Sequence, residues 1–479
     1  MPCAAGLGTL TVGRAIMKPV TRRILLTAVL GALLAAPHQA QTRFTSFADV
    51  RNVLSRLADV LPPELKVPNA SDAERAWMPW VERQDRAIRS RLQRGDEETI
   101  VNWLLFGTTF TKLPRVPLDS PDRQADDAQR AKLIAARTVE LVNALATPGQ
   151  DERRLFAREL FGRQGYATAT PADRSRLAAH LASLVDSVLM ERAEIARELQ
   201  TAGRAGSVSD QFAARSRLFR DRGLSLDTSF RPSFALEQTL VQLRQRGQLK
   251  PGTIRDVAVI GPGLDFTDKT SGFDFYPQQT LQPFALIDSL LRVGSIKDLA
   301  SVRLTTLDIS PRVNDHLRRA RQRASAGESY RFRLPLDRDV KWKAAAIEYW
   351  RVAGNRIGTA PPPGRATIGG ANVDVRTVTV RPSVTLRIEP LDLNVVLQRS
   401  ATHQFDLVVA TNVFVYYDVL EQVLALSNVR AMLRPGGLLL SNNALLELPE
   451  SGMRSVGYVT TEYSDARDDG DHVVWYRAE

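Results

Sequence analysis

Residues 256–266 read DVAVIGPGLDF and place an apolar run directly before a Gly-Pro-Gly turn. Four consecutive apolar residues at 257–260 are typical of a buried β-strand. Gly261 and Gly263 tolerate positive φ and let a ligand approach the backbone, because they carry no Cβ. In an open α/β sheet such a turn lies at the carboxyl end of a strand, where nucleotide-like ligands bind. The stretch therefore predicts a strand followed by a binding turn.

The segments that follow predict further strands of the same sheet. Residues 302–309, VRLTTLDI, predict a second strand that ends in Asp308, where a carboxylate can accept hydrogen bonds from a ribose diol. Residues 405–418, FDLVVATNVFVYYD, predict a strand ending at Asn412, and residues 433–440, LRPGGLLL, predict another strand after a helix. Because strands alternate with helices, we expect a parallel sheet with βαβ crossovers.

This ordered set of motifs resembles the class I S-adenosylmethionine-dependent methyltransferases over residues 230–479. Residues 405–418, followed by LRPGGLLL, are particularly similar to the chemotaxis-receptor methyltransferases. The resemblance implies a Rossmann-like α/β sheet that closes with an antiparallel hairpin of residues 455–463 and 472–477. It also implies S-adenosylmethionine as the cofactor.

The resemblance carries binding roles over to five residues. Gly261 and Gly263 would hold the methionine part of the cofactor, and Asp308 would bind the ribose hydroxyls. Asp392, in RIEPLDL at the end of a third strand, would contact the adenine amine. Asn412 would close the fourth strand beside the transferred methyl group. No catalytic residue is assigned, because methyl transfer from a sulfonium depends mainly on in-line positioning.

Several positions bear on the limits of this resemblance. Tyr416 and Tyr417 are candidates to line the methyl site, and a packing role fits each of them equally well. Val259 stands where many members of the family have an acidic residue, and Asp265 replaces their usual third glycine. A dinucleotide-binding fingerprint needs glycine where this chain has Phe266, which disfavours a Rossmann oxidoreductase.

Composition excludes some other classes of function. The net charge is +11, but basic residues are interleaved with acids along amphipathic helices, so no nucleic-acid partner is favoured. None of the five histidines is spaced with another histidine or acid as in HExxH, so no dedicated metal site is expected. A chain of 479 residues exceeds one ordinary domain, and we expect two.

Residues 1–40 have the form of a signal peptide or an N-terminal anchor, and Met17 is an alternative start. Within residues 18–36, basic side chains precede a short apolar run, and a cut could follow Ala40. We therefore expect an exported protein, periplasmic or secreted, or one anchored in a membrane through residues 18–36; a cytoplasmic location is the alternative. The only cysteine, Cys3, would be lost with the leader, so no disulfide is expected.

The rest of the chain predicts two domains. Residues 41–228 predict a helical domain of roughly five to seven helices, and residues 229–479 a methyltransferase-like domain. Pro79 is expected to kink or split the helix predicted over residues 71–92. An insertion at about 325–383 is a candidate substrate-selecting element, and a surface decoration is an equal alternative.

Taken with the resemblance, these features favour S-adenosylmethionine-dependent transfer of a methyl group to an unidentified acceptor, either a small molecule or a protein. The alternative is a catalytically silent exported protein that uses a methyltransferase-like fold as an interaction module. Binding of the cofactor distinguishes the two hypotheses.

Overall fold

The structure is a computed structural model that describes residues 42–67, 69–117, 123–202, 224, 229–267, 272–368, 370–466 and 469–479. The leader or anchor predicted at residues 1–40 lies outside the described residues. Within the described part of the chain, no helix is both long enough and apolar enough to cross a membrane.

The helices are α1 (Phe47–Leu54), α2 (Ala70–Phe106), α3 (Arg123–Ala146), α4 (Glu152–Arg163), α5 (Pro171–Ala202), α6 (Arg231–Gln245), α7 (Gln282–Arg292), α8 (Pro311–Ser325), α9 (Ala344–Val352), α10 (Pro382–Thr385) and α11 (Val419–Met432). The strands are β1 (Thr42–Phe44), β2 (Asp256–Ile260), β3 (Arg303–Asp308), β4 (Tyr330–Asp337), β5 (Gly358–Thr359), β6 (Gly364–Ile368), β7 (Ala371–Val380), β8 (Ile388–Asp392), β9 (Gln398–Ser400), β10 (Phe405–Ala410), β11 (Leu433–Ser441), β12 (Met453–Glu462) and β13 (Gly470–Ala478).

A seven-stranded sheet in the order β12-β13-β11-β10-β2-β3-β8 positions the candidate site. Strands β11, β10, β2, β3 and β8 are parallel, whereas β13 and β12 form an antiparallel pair at one edge. The predicted α/β sheet, mainly parallel and closed by a C-terminal antiparallel hairpin, is therefore confirmed. All five residues of β2 are buried, as expected for a central strand covered on both faces.

The sheet separates two hydrophobic cores, and alternate residues of β2 point into each. Val257 and Val259 pack into the core formed with α6, α7, α8 and α9. Ala258 and Ile260 pack into the core formed with α1, the first half of α2 and α11. The carboxyl ends of β2 and β10 meet where the strand order reverses, which is the position where open α/β sheets form a ligand crevice.

Helix α2 contributes to more than one core. Its first half packs against the sheet, where Trp77 and Trp80 are buried. Its second half packs with α3, α4 and α5 around Trp103, and we call this group of residues the helical cluster. Strand β1 pairs with β9 in a separate two-stranded sheet. The boundary of a separate helical domain stays a prediction.

Pro79 does not split its helix, so of the two outcomes expected from sequence the split is wrong and the kink stays a prediction. Helix α2 runs without a break from Ala70 to Phe106 and so extends well beyond the helix predicted over residues 71–92. A proline inside a helix removes one backbone hydrogen bond. Buried side chains on both sides of the proline, including Trp77 and Trp80, hold the helix together, since most helical stability in proteins comes from tertiary packing.

The insertion between β3 and β8 forms a second, antiparallel sheet. Strand β7 pairs with β4, β5 and β6. This sheet packs against α7 and the loop before it, where the Tyr330 ring stacks on Phe284 with their centroids 4.5 Å apart. Val373 packs with Phe273 and Tyr276 of the same loop.

Candidate functional site

A cleft lies at the carboxyl ends of β2, β3 and β10. It holds about 740 Å³ of space free of protein atoms, part of it open to solvent. Of the five residues predicted to bind a cofactor, Gly261, Gly263, Asp308 and Asn412 line the cleft, and Asp392 does not.

The glycine turn fits closely against the loop after β10. Gly261 and Gly263 have φ angles of 61° and 72°, in the left-handed region that favours glycine. A Cβ on Gly261 would lie 2.7 Å from Cγ2 of Val413, closer than such atoms can approach. The Gly261 N–H donates a 2.9 Å hydrogen bond to the carbonyl of Leu307 on β3. The turn therefore needs glycine for both its conformation and its fit.

Asp308 presents a buried oxygen that has no partner in the structure. Its Oδ1 accepts a 2.7 Å hydrogen bond from the backbone N–H of Ser310. Its Oδ2 is buried and makes no hydrogen bond. Burial, reinforced by the negative charge of Asp392, raises the pKa of Asp308 to about 7. An unpaired buried acceptor is costly, so this oxygen suits a ligand that brings hydroxyl donors.

Asp392 ends β8 directly opposite Asp308 in the parallel register, as its strand position predicts. Its Oδ1 accepts a 2.8 Å hydrogen bond from Nη2 of Arg89, a residue of α2. The next residues along the chain, Leu393 and Val395, line the cleft instead. The predicted contact of Asp392 with an adenine amine stays a prediction.

Asn412 follows β10 in an unusual backbone conformation. It has φ 57°, and no other non-glycine residue among those described has a positive φ. Its N–H donates a 2.7 Å hydrogen bond to Oδ1 of Asn442, and Nδ2 of Asn442 donates a 2.8 Å bond back to Oδ1 of Asn412. The strand itself ends at Ala410, two residues before the predicted end.

Sequence reasoning missed two polar residues of the cleft. Nε2 of Gln282, at the start of α7, donates a 2.6 Å hydrogen bond to Oγ1 of Thr411, and both side chains line the cleft. Gln282 follows a long loop that has no periodic pattern, so nothing in the sequence marks it. Thr411 lies within the quoted ATN motif, where the neighbouring asparagine drew the prediction.

Sequence reasoning also missed the wall that the N-terminal half contributes, where Leu92 of α2 and Leu224 line the cleft. Polar contacts hold α2 across the strand ends: Arg91 donates to the carbonyl of Tyr416 at 3.2 Å and to Glu421 at 3.3 Å. Burial raises the pKa of Glu421, and the positive charge of Arg91 offsets only part of this rise. An amphipathic helical pattern gives the buried face of α2 but not the surface that this face meets.

Both departures from the glycine fingerprint have structural roles in the loop after β2. Asp265 accepts hydrogen bonds from the Tyr276 hydroxyl at 2.9 Å and from Nε2 of Gln279 at 3.1 Å. Phe266 enters the helical cluster, where its ring meets Trp103 edge-on at 5.6 Å between centroids. These contacts join the glycine loop to the helices.

Aromatic and ionisable groups near the cleft are few. Tyr416 and Tyr417 both line it, and burial raises the pKa of Tyr417. No histidine is among the lining residues described here. His316 lies elsewhere, hydrogen-bonded to the Tyr330 hydroxyl at 2.8 Å, and burial lowers its pKa to about 4.

The described residues hold no group of three or more His, Cys, Asp and Glu side chains suited to a metal ion. The described lining includes no residue of the insertion.

Solved methyltransferase structures are similar to this chain at low identity. The N-methyltransferase NodS from Bradyrhizobium japonicum WM9, in complex with S-adenosyl-L-homocysteine, is 16% identical with a TM-score of 0.27, and the match covers 60% of this chain and 98% of that one. Magnesium protoporphyrin IX methyltransferase from Synechocystis PCC 6803, with bound SAM, is 10% identical with a TM-score of 0.25, and the match covers 58% and 90%. The glycopeptide N-methyltransferase MtfA, complexed with S-adenosyl-L-methionine, is 11% identical with a TM-score of 0.25, and the match covers 50% and 92%. No protein-family model and no curated protein sequence matches the chain. The chemistry of the cleft therefore has to be decided from its own residues.

Proposed function

We propose that this chain binds S-adenosylmethionine in the cleft and transfers its methyl group to an acceptor that is not yet identified. The observation that carries the proposal is the unpaired, buried Oδ2 of Asp308 at the point where the strand order reverses. A ribose diol supplies the donors that this oxygen lacks. The closely fitted turn at Gly261 lies on the same cleft.

The remaining walls suit the other parts of the cofactor. Ile309, Leu393 and Val395 give an apolar surface next to Asp308, on which an adenine ring can lie. Gly263, Gln282, Thr411 and Asn412 supply backbone and side-chain polar groups on the glycine side, where an amino acid moiety can bind. The grouping of polar and apolar residues thus matches a nucleoside joined to an amino acid.

The cofactor supplies a methyl group on a positively charged sulfur, which is electrophilic without further activation. What the protein must provide is alignment of the acceptor and exclusion of water. Leu92, Leu224 and Val413 line the cleft with apolar side chains that limit water. Tyr416 and Tyr417 lie next to them and can orient an acceptor. No proton-accepting side chain is assigned, and the acceptor can be a small molecule or a protein.

Titration of the purified chain with S-adenosylhomocysteine tests this proposal by calorimetry. We expect binding to the unaltered chain and its loss in Asp308→Ala, because the substitution removes the acceptor for the ribose. Asp315→Ala is the matched control, since Asp315 is an exposed acid of α8 that pairs with Arg318 outside the cleft. Absence of heat at millimolar ligand would favour the silent interaction module. The likeness of residues 405–418 to the chemotaxis-receptor methyltransferases stays a prediction.

A further inference from the structure

The loop after β10 is fixed by an amide pair that lies beside the cleft. Asn442 engages both the backbone N–H and the side-chain oxygen of Asn412, at 2.7 Å and 2.8 Å. Asn442 follows β11, the strand next to β10, so two neighbouring strand ends are tied together. Asn442 itself is not among the residues that line the cleft.

This pair explains why a non-glycine residue keeps a left-handed conformation. Asn412 has φ 57°, which most L-residues avoid and which asparagine tolerates when local hydrogen bonds support it. The two bonds from Asn442 provide that support. The next residue, Val413, is thereby placed against Gly261. Its side chain fits there only because Gly261 has no Cβ, which would lie 2.7 Å from Cγ2 of Val413.

A second contact fixes Asn442. Its Nδ2 lies 3.4 Å from Oδ1 of Asp471 on β13. The other oxygen of Asp471 accepts a 2.6 Å hydrogen bond from the hydroxyl of Tyr463. Asn442 is therefore held by the C-terminal hairpin while it holds the turn after β10.

We infer that Asn442 is a positioning residue, which keeps residues 411–413 in the conformation that leaves room beside Gly261 for the cofactor. This inference rests on the proposed function. It assigns Asn412 a backbone role in place of direct contact through its side chain, because the side-chain oxygen of Asn412 is already bonded to Asn442. Loss of Asn442 should let residue 412 relax toward negative φ and move Val413 within the cleft.

Glycine substitution separates the two roles of Asn412, since glycine takes positive φ without support from a side chain. We expect Asn442→Ala to weaken S-adenosylhomocysteine binding about tenfold, which corresponds to the loss of one or two hydrogen bonds. Asn412→Gly should bind within about threefold of the unaltered chain, and the double variant Asn442→Ala/Asn412→Gly should recover that affinity. Asn443→Ala is the control, because it changes the neighbouring amide and leaves the pair intact.

Two binding results would overturn the inference: unchanged affinity in Asn442→Ala, or loss of binding in Asn412→Gly, which the double variant would then share. The second outcome would mean that the Asn412 side chain touches the ligand. Amide hydrogen exchange at residues 411–413 gives a readout that needs no ligand. Exchange should be slow in the unaltered chain and faster in Asn442→Ala, and equally slow exchange in both would also overturn the inference. If the unaltered chain does not bind S-adenosylhomocysteine, the proposed function fails, and exchange still decides whether Asn442 holds the turn.

Discussion

Trp103 donates a 2.8 Å hydrogen bond from Nε1 to Oδ2 of Asp274, and this bond joins the helical cluster to the loop that follows the glycine turn. Asp274 also accepts from the backbone N–H groups and the hydroxyls of Thr108 and Thr109. Burial alone would raise the pKa of Asp274. The hydrogen bonds from Thr108 and Thr109 outweigh burial and bring this pKa below its ordinary value. One carboxylate therefore anchors the loop between β2 and α7 to the end of α2.

Asp274→Asn should loosen this anchor. An amide NH2 cannot accept the hydrogen bonds that one carboxylate oxygen accepts, so buried donors would lose their partner. We expect the free energy of unfolding at pH 7 to fall by roughly 2–3 kcal/mol. Urea unfolding measures this change, and Asp315→Asn on the exposed side of α8 is the control. A change within about 0.5 kcal/mol of the unaltered chain would contradict the anchoring role.

The sheet could be predicted because its signals are local. The run VAVI before Gly261 specifies a buried strand, and in a parallel sheet the carboxyl ends of such strands meet at one edge. This is why Gly261, Asp308 and Asn412 were found together on one cleft. Phe266, in contrast, was noted only as a departure from a fingerprint. Its partner Trp103 lies far away in sequence, and no local pattern links the two.

For Asp392, the position in the sheet could be predicted from sequence, but the contacts of its side chain could not. Its position at a strand end was predictable, and the register places it opposite Asp308. Its pairing with Arg89 depends on where α2 crosses the sheet, which no periodicity specifies. Leu92 of the same helix was missed for the same reason. Contacts between distant elements set these features, and a single sequence does not display them.

The buried carboxyl of Asp308 should make stability depend on pH. Its pKa is raised from 3.8 to about 7, mainly by burial, so folding favours the protonated form. The stability that this group contributes is present below about pH 4 and is lost as pH rises through 7, by roughly 4 kcal/mol at most. Asp308→Asn removes this dependence, so its stability relative to the unaltered chain should rise between pH 4 and 7. A constant difference in the free energy of unfolding between Asp308→Asn and the unaltered chain from pH 4 to 7 would contradict a raised pKa of Asp308.

Replacement of the proline in α2 tests how that helix tolerates it. Pro79 is exposed, and Pro79→Ala restores a backbone donor inside a continuous helix. We expect stabilisation by about 1–2 kcal/mol, less than the full cost of a helical proline because alanine also makes the unfolded chain more flexible. Thermal unfolding measures the change, and Met78→Ala is the neighbouring control. A lower melting temperature in Pro79→Ala would show that the proline supports the native path of the helix.

The N-terminal segment can be tested without knowledge of its structure. A fusion of residues 17–45 to a reporter that is active only outside the cytosol should be active if the segment is an export signal or an anchor that carries the reporter across. Replacing the basic residues before the apolar run by glutamate should reduce activity, because the positive start of such signals directs insertion. A silent reporter would favour the cytoplasmic alternative.

Substitution of Gly261 separates two requirements of the binding turn: close packing against Val413 and a left-handed backbone conformation. Gly261→Ala places a Cβ 2.7 Å from Val413 in a residue whose φ is 61°. Gly247→Ala is the matched control, because Gly247 has φ 68° and nothing within 4 Å of an added Cβ. Gly247→Ala should lose roughly 1–2 kcal/mol of stability, since alanine is forced into the left-handed region, and Gly261→Ala should lose more, because its Cβ also meets Val413.

Only Gly261→Ala should also lose affinity for S-adenosylhomocysteine, by at least about tenfold, because its methyl group displaces Val413 into the cleft. Calorimetric titration of both variants measures the difference. Equal affinity in the two variants would show that the close contact between the glycine turn and the loop after β10 does not shape the binding site. Loss of affinity in Gly247→Ala as well would trace the effect to reduced stability of the fold, since that glycine lies away from the cleft.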